Sequence, residues 1–185
     1  FNGTDEYVTM GNTNNLGTTD FSISCWVKRN LTTVVFNLLT KDQSDPSHWY
    51  FSIAADKSII FYCKTGGVHR QKLISNANAV PNDTNLHHIV MVQDRDNDSN
   101  CKFYVDGSHI SVGYGTGNTA SAQATTDTLD NTGNLYVGRW HGEGGTYDYY
   151  SNGLINEVAI WQGTVLSSSQ VQELFNDGVA RSALE

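Results

Sequence analysis

Apolar and polar residues alternate with a period of two along most of the chain. In FSISCWVKR, Phe21, Ile23, Cys25 and Val27 share one face, while Ser22, Ser24, Trp26 and Lys28 share the other. That is the pattern of a strand with one side turned toward a core. Similar runs fall at 33–40, 49–55, 58–64, 68–74, 86–94, 101–105, 134–139 and 153–161. With EYVTM near the start they predict about ten strands. The separators are hairpin chemistry: Ala55-Asp56-Lys57, Gly66-Gly67, the polar DRDNDSN stretch and Asp106-Gly107, whose tolerance of positive φ favours a type I′ turn. Sequential antiparallel pairing follows.

Helical spacing occurs once. In SSSQVQELFNDG a serine N-cap precedes Val171, Leu174 and Phe175 at helical intervals, and Gly178 supplies a stop. A parallel α/β fold would need helical patterns between the strands, and none precedes residue 167. The fold class expected is therefore all-β, an antiparallel β-sandwich with one short C-terminal helix, forming a single domain over residues 1–185. Two stretches depart from compact alternation, 113–133 and the Gly/Tyr-rich 141–153. Long loops on a rigid sandwich are where function usually sits.

Composition narrows the function classes. The 185 residues carry a formal charge of −8, with 11 Lys and Arg against 19 Asp and Glu. Nucleic-acid affinity depends on cations that neutralise phosphate, so no nucleic-acid partner is expected, and anionic membranes are disfavoured likewise. No apolar run approaches the roughly 20 residues a spanning helix needs, so membrane insertion is not expected. Cys25, Cys63 and Cys101 each fall on the apolar register of a strand, which predicts buried free thiols.

Several motifs occur in an order that resembles the laminin-G-like jelly-roll family of the concanavalin A-like superfamily, across nearly the whole chain. FNGTDEYV is similar to the family's opening strand, FSISCWVK to its early Trp strand, and LHHIVMVQD followed by KFYVDG to its central hairpin. LYVGR, NGLINEVAIW and LSSSQVQELFNDG match its closing strand and short C-terminal helix. Leu86 stands where the family often has Trp. The resemblance implies a curved jelly-roll sandwich, commonly with a calcium ion and commonly recognising glycans or proteins. In the family the opening strand and the acidic residue of the closing strand can share an ion. The matching positions are Asp5 and Asn156, where the amide offers a neutral oxygen in place of a carboxylate and weakens the site.

Catalysis is not expected. Glycosidases on such sandwiches need two carboxylates flanking a cleft, and strands supply them at alternate positions. Glu6, Glu143, Glu157, Glu173 and Glu185 are scattered, and no acidic pair stands two apart on a core strand. Asp94, Asp96, Asp98 and Asn100 imitate the front half of a calcium loop, but Ser99 and Val105 stand where an EF-hand needs Gly and Glu. A solvated hairpin turn is the expectation there. His87 and His88 point to opposite faces, which excludes a shared metal and predicts one packed and one solvated ring.

Sugar recognition calls for an aromatic face plus amide, carboxylate or imidazole groups. The chain concentrates those types twice: Asp42, Asp45, His48, Trp49 and Tyr50 in one turn, and Trp140, His141, Tyr147, Asp148, Tyr149 and Tyr150 around the second long loop. Glycines at 142, 144 and 145 free the backbone there. The competing assignment has Trp49 and Trp140 capping the core while tyrosines cover an edge. The function expected is a non-catalytic recognition module on a cell or virus-particle surface, outside the cell, with a glycan as partner. The alternative is a virion decoration, fibre or appendage subunit using the same loops against neighbouring protein.

Overall fold

The structure is a computed structural model that describes residues 1–41, 47–114, 127–141 and 148–176. Its strands form two large antiparallel sheets and a short ribbon. The first large sheet has the order β14 (Gly153–Gln162), β2 (Phe21–Arg29), β7 (His87–Gln93), β8 (Lys102–Val105), β9 (Ser108–Ile110). The second has the order β1 (Val8–Thr9), β11 (Leu135–Val137), β3 (Phe36–Lys41), β4 (His48–Ile53), β5 (Ile59–Thr65), β6 (Val68–Ser75), β10 (Val112–Tyr114). The ribbon pairs β12 (Arg139–His141) with β13 (Asp148–Tyr150). This is the antiparallel sandwich the alternation predicts and the jelly roll the resemblance implies, and it adds four short strands, β9, β10, β12 and β13, too brief for period two to mark. No described helix is long and apolar enough to cross a membrane.

The core forms where the inward positions of the two sheets meet. Phe21, Ile23, Cys25 and Val27 of β2 belong to one cluster with Trp49, Phe51 and Ile53 of β4 and with Phe61 and Cys63 of β5. Rings interlock across it: Phe21 meets Phe61 edge-on at 5.8 Å and Phe51 stacks on Phe103 at 6.3 Å. All three cysteines are free and buried, as their register predicts. Burial pushes the Cys25 thiol up to about 12, so it packs as an apolar group.

The hairpin turns obey the same local chemistry. Val105 pairs with Ser108 across Asp106 and Gly107, both at positive φ, 49° and 73°. Thr65 pairs with Val68 across Gly66 and Gly67, at 57° and 79°. These are type I′ geometries, whose twist suits the flanking strands. Gly153 opens β14 at φ 148°, where a Cβ would stand 1.9 Å from the Lys28 carbonyl oxygen. Only glycine lets β14 approach β2 this closely.

The outward face of the five-stranded sheet is buried too. Helix α1, Ser168–Phe175, lies against it. Its N-terminus is a capping box, with the Ser167 hydroxyl accepting from Gln170 and the Gln170 side chain returning a bond to Ser167. It ends on Asn176 in the left-handed region; Gly178, the stop expected from sequence, lies outside the described residues. Val171 is fully buried in a second cluster with Val90, Val92, Tyr104 and Leu166, against which Trp161 and Leu174 pack. Trp26 is sandwiched here, 5.1 Å from the His88 ring and 5.9 Å from Phe175.

The two adjacent histidines both turn out to be buried, which corrects the expectation that one would be solvated. His88 lies beneath α1, where its Nε2 and the Ser24 hydroxyl are 2.7 Å apart; burial pulls its pKa down to about 4, against the opposing charge of Asp106. His87 is clamped between Asp106 at 2.7 Å and Asp83 at 2.8 Å. The hydrogen bond to Asp106 raises its pKa most; burial opposes, and Asp83 adds to the rise.

These shifts have opposite signs in a stability profile. His88 favours the fold only while neutral, so its contribution fades as pH falls from about 6.5 toward 4. His87 favours the fold while protonated, so its contribution is complete below about 6.5 and fades as pH rises through its elevated value. Melting temperatures across pH 4 to 9 are expected to fall on both sides of an optimum near pH 6. His88→Phe should flatten the acid limb and His87→Gln the alkaline one; limbs unchanged in both variants would refute the assignment. Separately, Phe175→Ala should lower stability in urea by about 2 kcal/mol through lost contact with Trp26 and His88, and change Trp fluorescence in the folded state.

Candidate functional site

The outward face of the seven-stranded sheet is the face α1 does not cover. Tyr50 and Ser52 of β4 and Ile60 of β5 point to it, because their neighbours Trp49, Phe51 and Ile59 take the core positions. Over this floor stands the β12–β13 ribbon. Trp140 and Tyr149 are directly paired in its register, with ring centroids 5.1 Å apart. Together with Tyr50, Ile60, Asn37 and Ser52 they line an open cavity of about 350 Å³, with Val35 and Ala54 completing it.

Asn37 joins the wall to the floor. It sits at a register shift between β3 and β4, where its side-chain amide donates to the Tyr149 carbonyl at 3.3 Å and its Oδ1 accepts from the Ser52 hydroxyl at 3.1 Å. Its backbone amide donates to the Ser151 hydroxyl at 2.8 Å, which in turn donates to the Asn37 carbonyl at 2.8 Å. An amide with this many buried obligations fixes the ribbon's height above the sheet. Nothing in the local sequence around Asn37 marks it, since its ribbon-side partners, Tyr149 and Ser151, lie more than a hundred residues away in the chain.

The sequence-predicted cluster around the second loop is divided by the pleat. Trp140 and Tyr149 face the cavity. Asp148 and Tyr150 instead engage Arg139: its Nη2 donates to Asp148 Oδ1 at 2.9 Å, and its Cζ lies 4.6, 4.9 and 5.9 Å from the rings of Tyr7, Tyr136 and Tyr150. Partial burial alone would lower the pKa of Arg139, but the hydrogen bond and charge of Asp148 outweigh it and hold the guanidinium above its usual range. Tyr150 is raised by burial and by Asp148, to which its hydroxyl donates at 3.2 Å.

In the first cluster, Tyr50 reaches the cavity and two residues do not. Trp49 is fully buried in the core, because adjacent strand positions face opposite ways and 49 shares its side with Phe51. His48 is also buried, with its ring 5.8 Å from that of Tyr62. Neither is presented to a ligand. Asp42, Asp45 and Tyr147 lie outside the described residues, as does the side chain of His141, whose backbone pairs with Asp148.

Of the two expected metal positions, Asp5 Oδ1 accepts from the Asn2 amide at 2.8 Å, and Asn156 is exposed on β14 opposite Trp26. A different acidic group is gathered at the ends of β2 and β7: carboxylate oxygens of Asp20, Asp94 and Asp96 all lie within 4.8 Å of one another. Asp96, Asn97 and Ser99 are exposed, as expected of a solvated turn, but Asp94 at its start is buried. Burial pushes its pKa up, but the side chains of Asn100 and Asp96 and the amides of Asp96 and Asn97 outweigh it and hold the carboxyl below the usual range. Asp96 is raised, chiefly by its hydrogen bond with Asp94 and by the charge of that neighbour.

Solved structures share this architecture at low sequence identity. A native heptameric SAP-like pentraxin from Limulus polyphemus superposes with a TM-score of 0.64 and 11% identity, over 95% of this chain and 79% of that one. Domains LG4-5 of the mouse laminin alpha1 chain give 0.61 and 16%, over 92% of this chain and 42% of theirs. The CBM40 of Ruminococcus gnavus IT-sialidase bound to α2,3-sialyllactose gives 0.57 and 12%, over 92% and 97%. No curated protein matches the chain in sequence. The family model for the superfamily, of laminin G type, matches residues 2–172. With the two-sheet jelly roll, the helix-covered face and the open face all in place, the chain belongs to the concanavalin A-like lectin/glucanases superfamily.

Proposed function

We propose that this chain is a non-catalytic carbohydrate-recognition module acting on a cell or particle surface, and that its ligand binds in the cavity beneath Trp140 and Tyr149. The observation that carries this reading is the cavity's construction: two paired aromatic rings form a wall over a floor of Tyr50 and Ile60, with the amide of Asn37 and the hydroxyl of Ser52 at the join. Aromatic faces suit the apolar side of a sugar ring, and a few polar groups orient the hydroxyls. About 350 Å³ falls at the small end of ligand pockets, in keeping with one or two sugar residues rather than a long chain. The superposition on a sialyllactose-bound module supports the same ligand class.

Binding without chemistry is favoured by the lining. No described residue of the cavity is a carboxylic acid, whereas glycoside hydrolysis calls for a pair of them about 5 to 9 Å apart. Asp148, the nearest acid in sequence to the wall, is committed to Arg139.

The test is binding of the purified chain to a broad glycan array, followed by titration of the best sugar. Trp140→Ala and Tyr149→Ala are each expected to weaken binding about tenfold or more, in line with loss of one stacking face, and Tyr149→Ala should change the melting temperature little because Tyr149 is exposed. Asp148→Asn should leave affinity within about twofold, since that side chain faces Arg139. Sugar binding indifferent to both aromatic substitutions would discard the site. No sugar binding, together with self-assembly in solution, would favour the structural-subunit reading instead.

A further inference from the structure

A second site is built at the opposite kind of place, on the connections at the ends of β2 and β7, and it is wholly acidic. Asp20 immediately precedes β2; Asp94 and Asp96 follow β7. Pairing of Phe21 with Gln93 brings these ends side by side and sets three carboxylates within 4.8 Å. Two of them are positioned by the backbone or a neighbour. Asp20 Oδ1 accepts from the Arg95 amide at 2.8 Å, and Asp94 Oδ2 accepts from the Asn100 side chain at 2.9 Å.

Asp94 supplies the observation that points to a ligand. Its side chain belongs to a residue only 9% exposed, and its Oδ1 is buried with no hydrogen-bond partner. A buried carboxylate oxygen without a donor, in a residue clustered with two further carboxylates, is costly unless a proton or a cation stands among them. The neighbouring Arg95 guanidinium donates through Nη2 to the Asp127 carbonyl at 2.7 Å. Beside the cluster is an open volume of about 420 Å³ lined by Thr18, Thr19, Asp20, Arg95, Asp96 and Gly163, which gives an ion a route in and room for water ligands.

We propose that Asp20, Asp94 and Asp96 bind one calcium ion. Three hard oxygen donors exclude the thiolate- and imidazole-seeking metals. Oxygens on one calcium at about 2.4 Å can be up to about 4.8 Å apart, so three oxygens all within that limit can share one coordination sphere. Magnesium is the poorer fit, since it demands a tighter octahedron near 2.0 Å and sheds water reluctantly. The ion would tie the start of β2 to the end of β7, stapling the central strand pair at the end where Asp20 also receives the Gly163 amide through its carbonyl at 2.7 Å. The site shares no residue with the aromatic cavity.

Calorimetric titration of the chelator-treated chain with calcium chloride, and with magnesium chloride in parallel, tests this directly. One calcium per chain is expected, with a higher melting temperature in calcium than in chelator. Asp96→Asn, at an exposed side chain, should weaken calcium binding about tenfold or more while melting like the parent in chelator. Asp94→Asn should weaken it further, and Asp5→Asn should not change it. The proposal fails if the parent neither binds calcium nor gains stability from it, if Asp96→Asn binds as the parent does, if Asp5→Asn is the variant that loses binding, or if magnesium binds and calcium does not. None of these readouts involves a sugar, so they stand or fall apart from the carbohydrate reading.

Discussion

Strands β2 and β7 carry large apolar or aromatic groups on both sides, and a sheet so composed is stable only when neither face meets water. One side finds its cover in the seven-stranded sheet. The other, with Trp26, His88, Val90 and Val92, is covered among the described residues by α1 and the segment leading into it. The short helix is thus the second wall of a second core, and its capping box and Val171 are the means by which a two-turn helix holds position. With α1 spent on that face, the outward face of the larger sheet is the one where Tyr50, Ile60 and a hairpin of aromatic residues can meet a partner.

The same constraint explains the polar residues in the packed layer. Ser24 and His88 lie two registers apart on the β2–β7 ladder and meet at 2.7 Å, so that one nitrogen of a neutral imidazole packed with Trp26 and Phe175 has a partner. His87, one residue on, faces Asp83 and Asp106 and is an ion-paired edge. Adjacent identical side chains thus acquire opposite electrostatic roles from the pleat alone.

Sequence reading was most secure where a local rule suffices. The alternation of FSISCWVKR fixes both its faces, Asp106-Gly107 dictates its turn, and Ser167 with Gln170 marks the helix start. It was weakest where the answer depends on distant partners. Which of the adjacent aromatics Trp49 and Tyr50 faces inward depends on the register with β5, and a turn rich in acids and aromatics looks the same either way. Three-residue strands such as β12 and β13 are too short to display a period, so a paired ribbon read as an open loop. Asp94 and Asp96 were visible as alternate acids, but the third member, Asp20, arrives only through strand pairing. Aromatic composition did identify Trp140 and Tyr149 as a pair of interest, while Asn37, which mounts them, gave no local signal.

That mounting has a kinetic side. The cavity's wall and floor belong to different pieces of the fold, and Asn37 with Ser52 and Ser151 bonds one to the other. If a molecule binds under the wall as proposed, the bond from Asn37 to the Tyr149 carbonyl bears on how readily the wall could part from the floor to release it, so a residue almost wholly hidden from solvent would act on dwell time rather than on the choice of ligand.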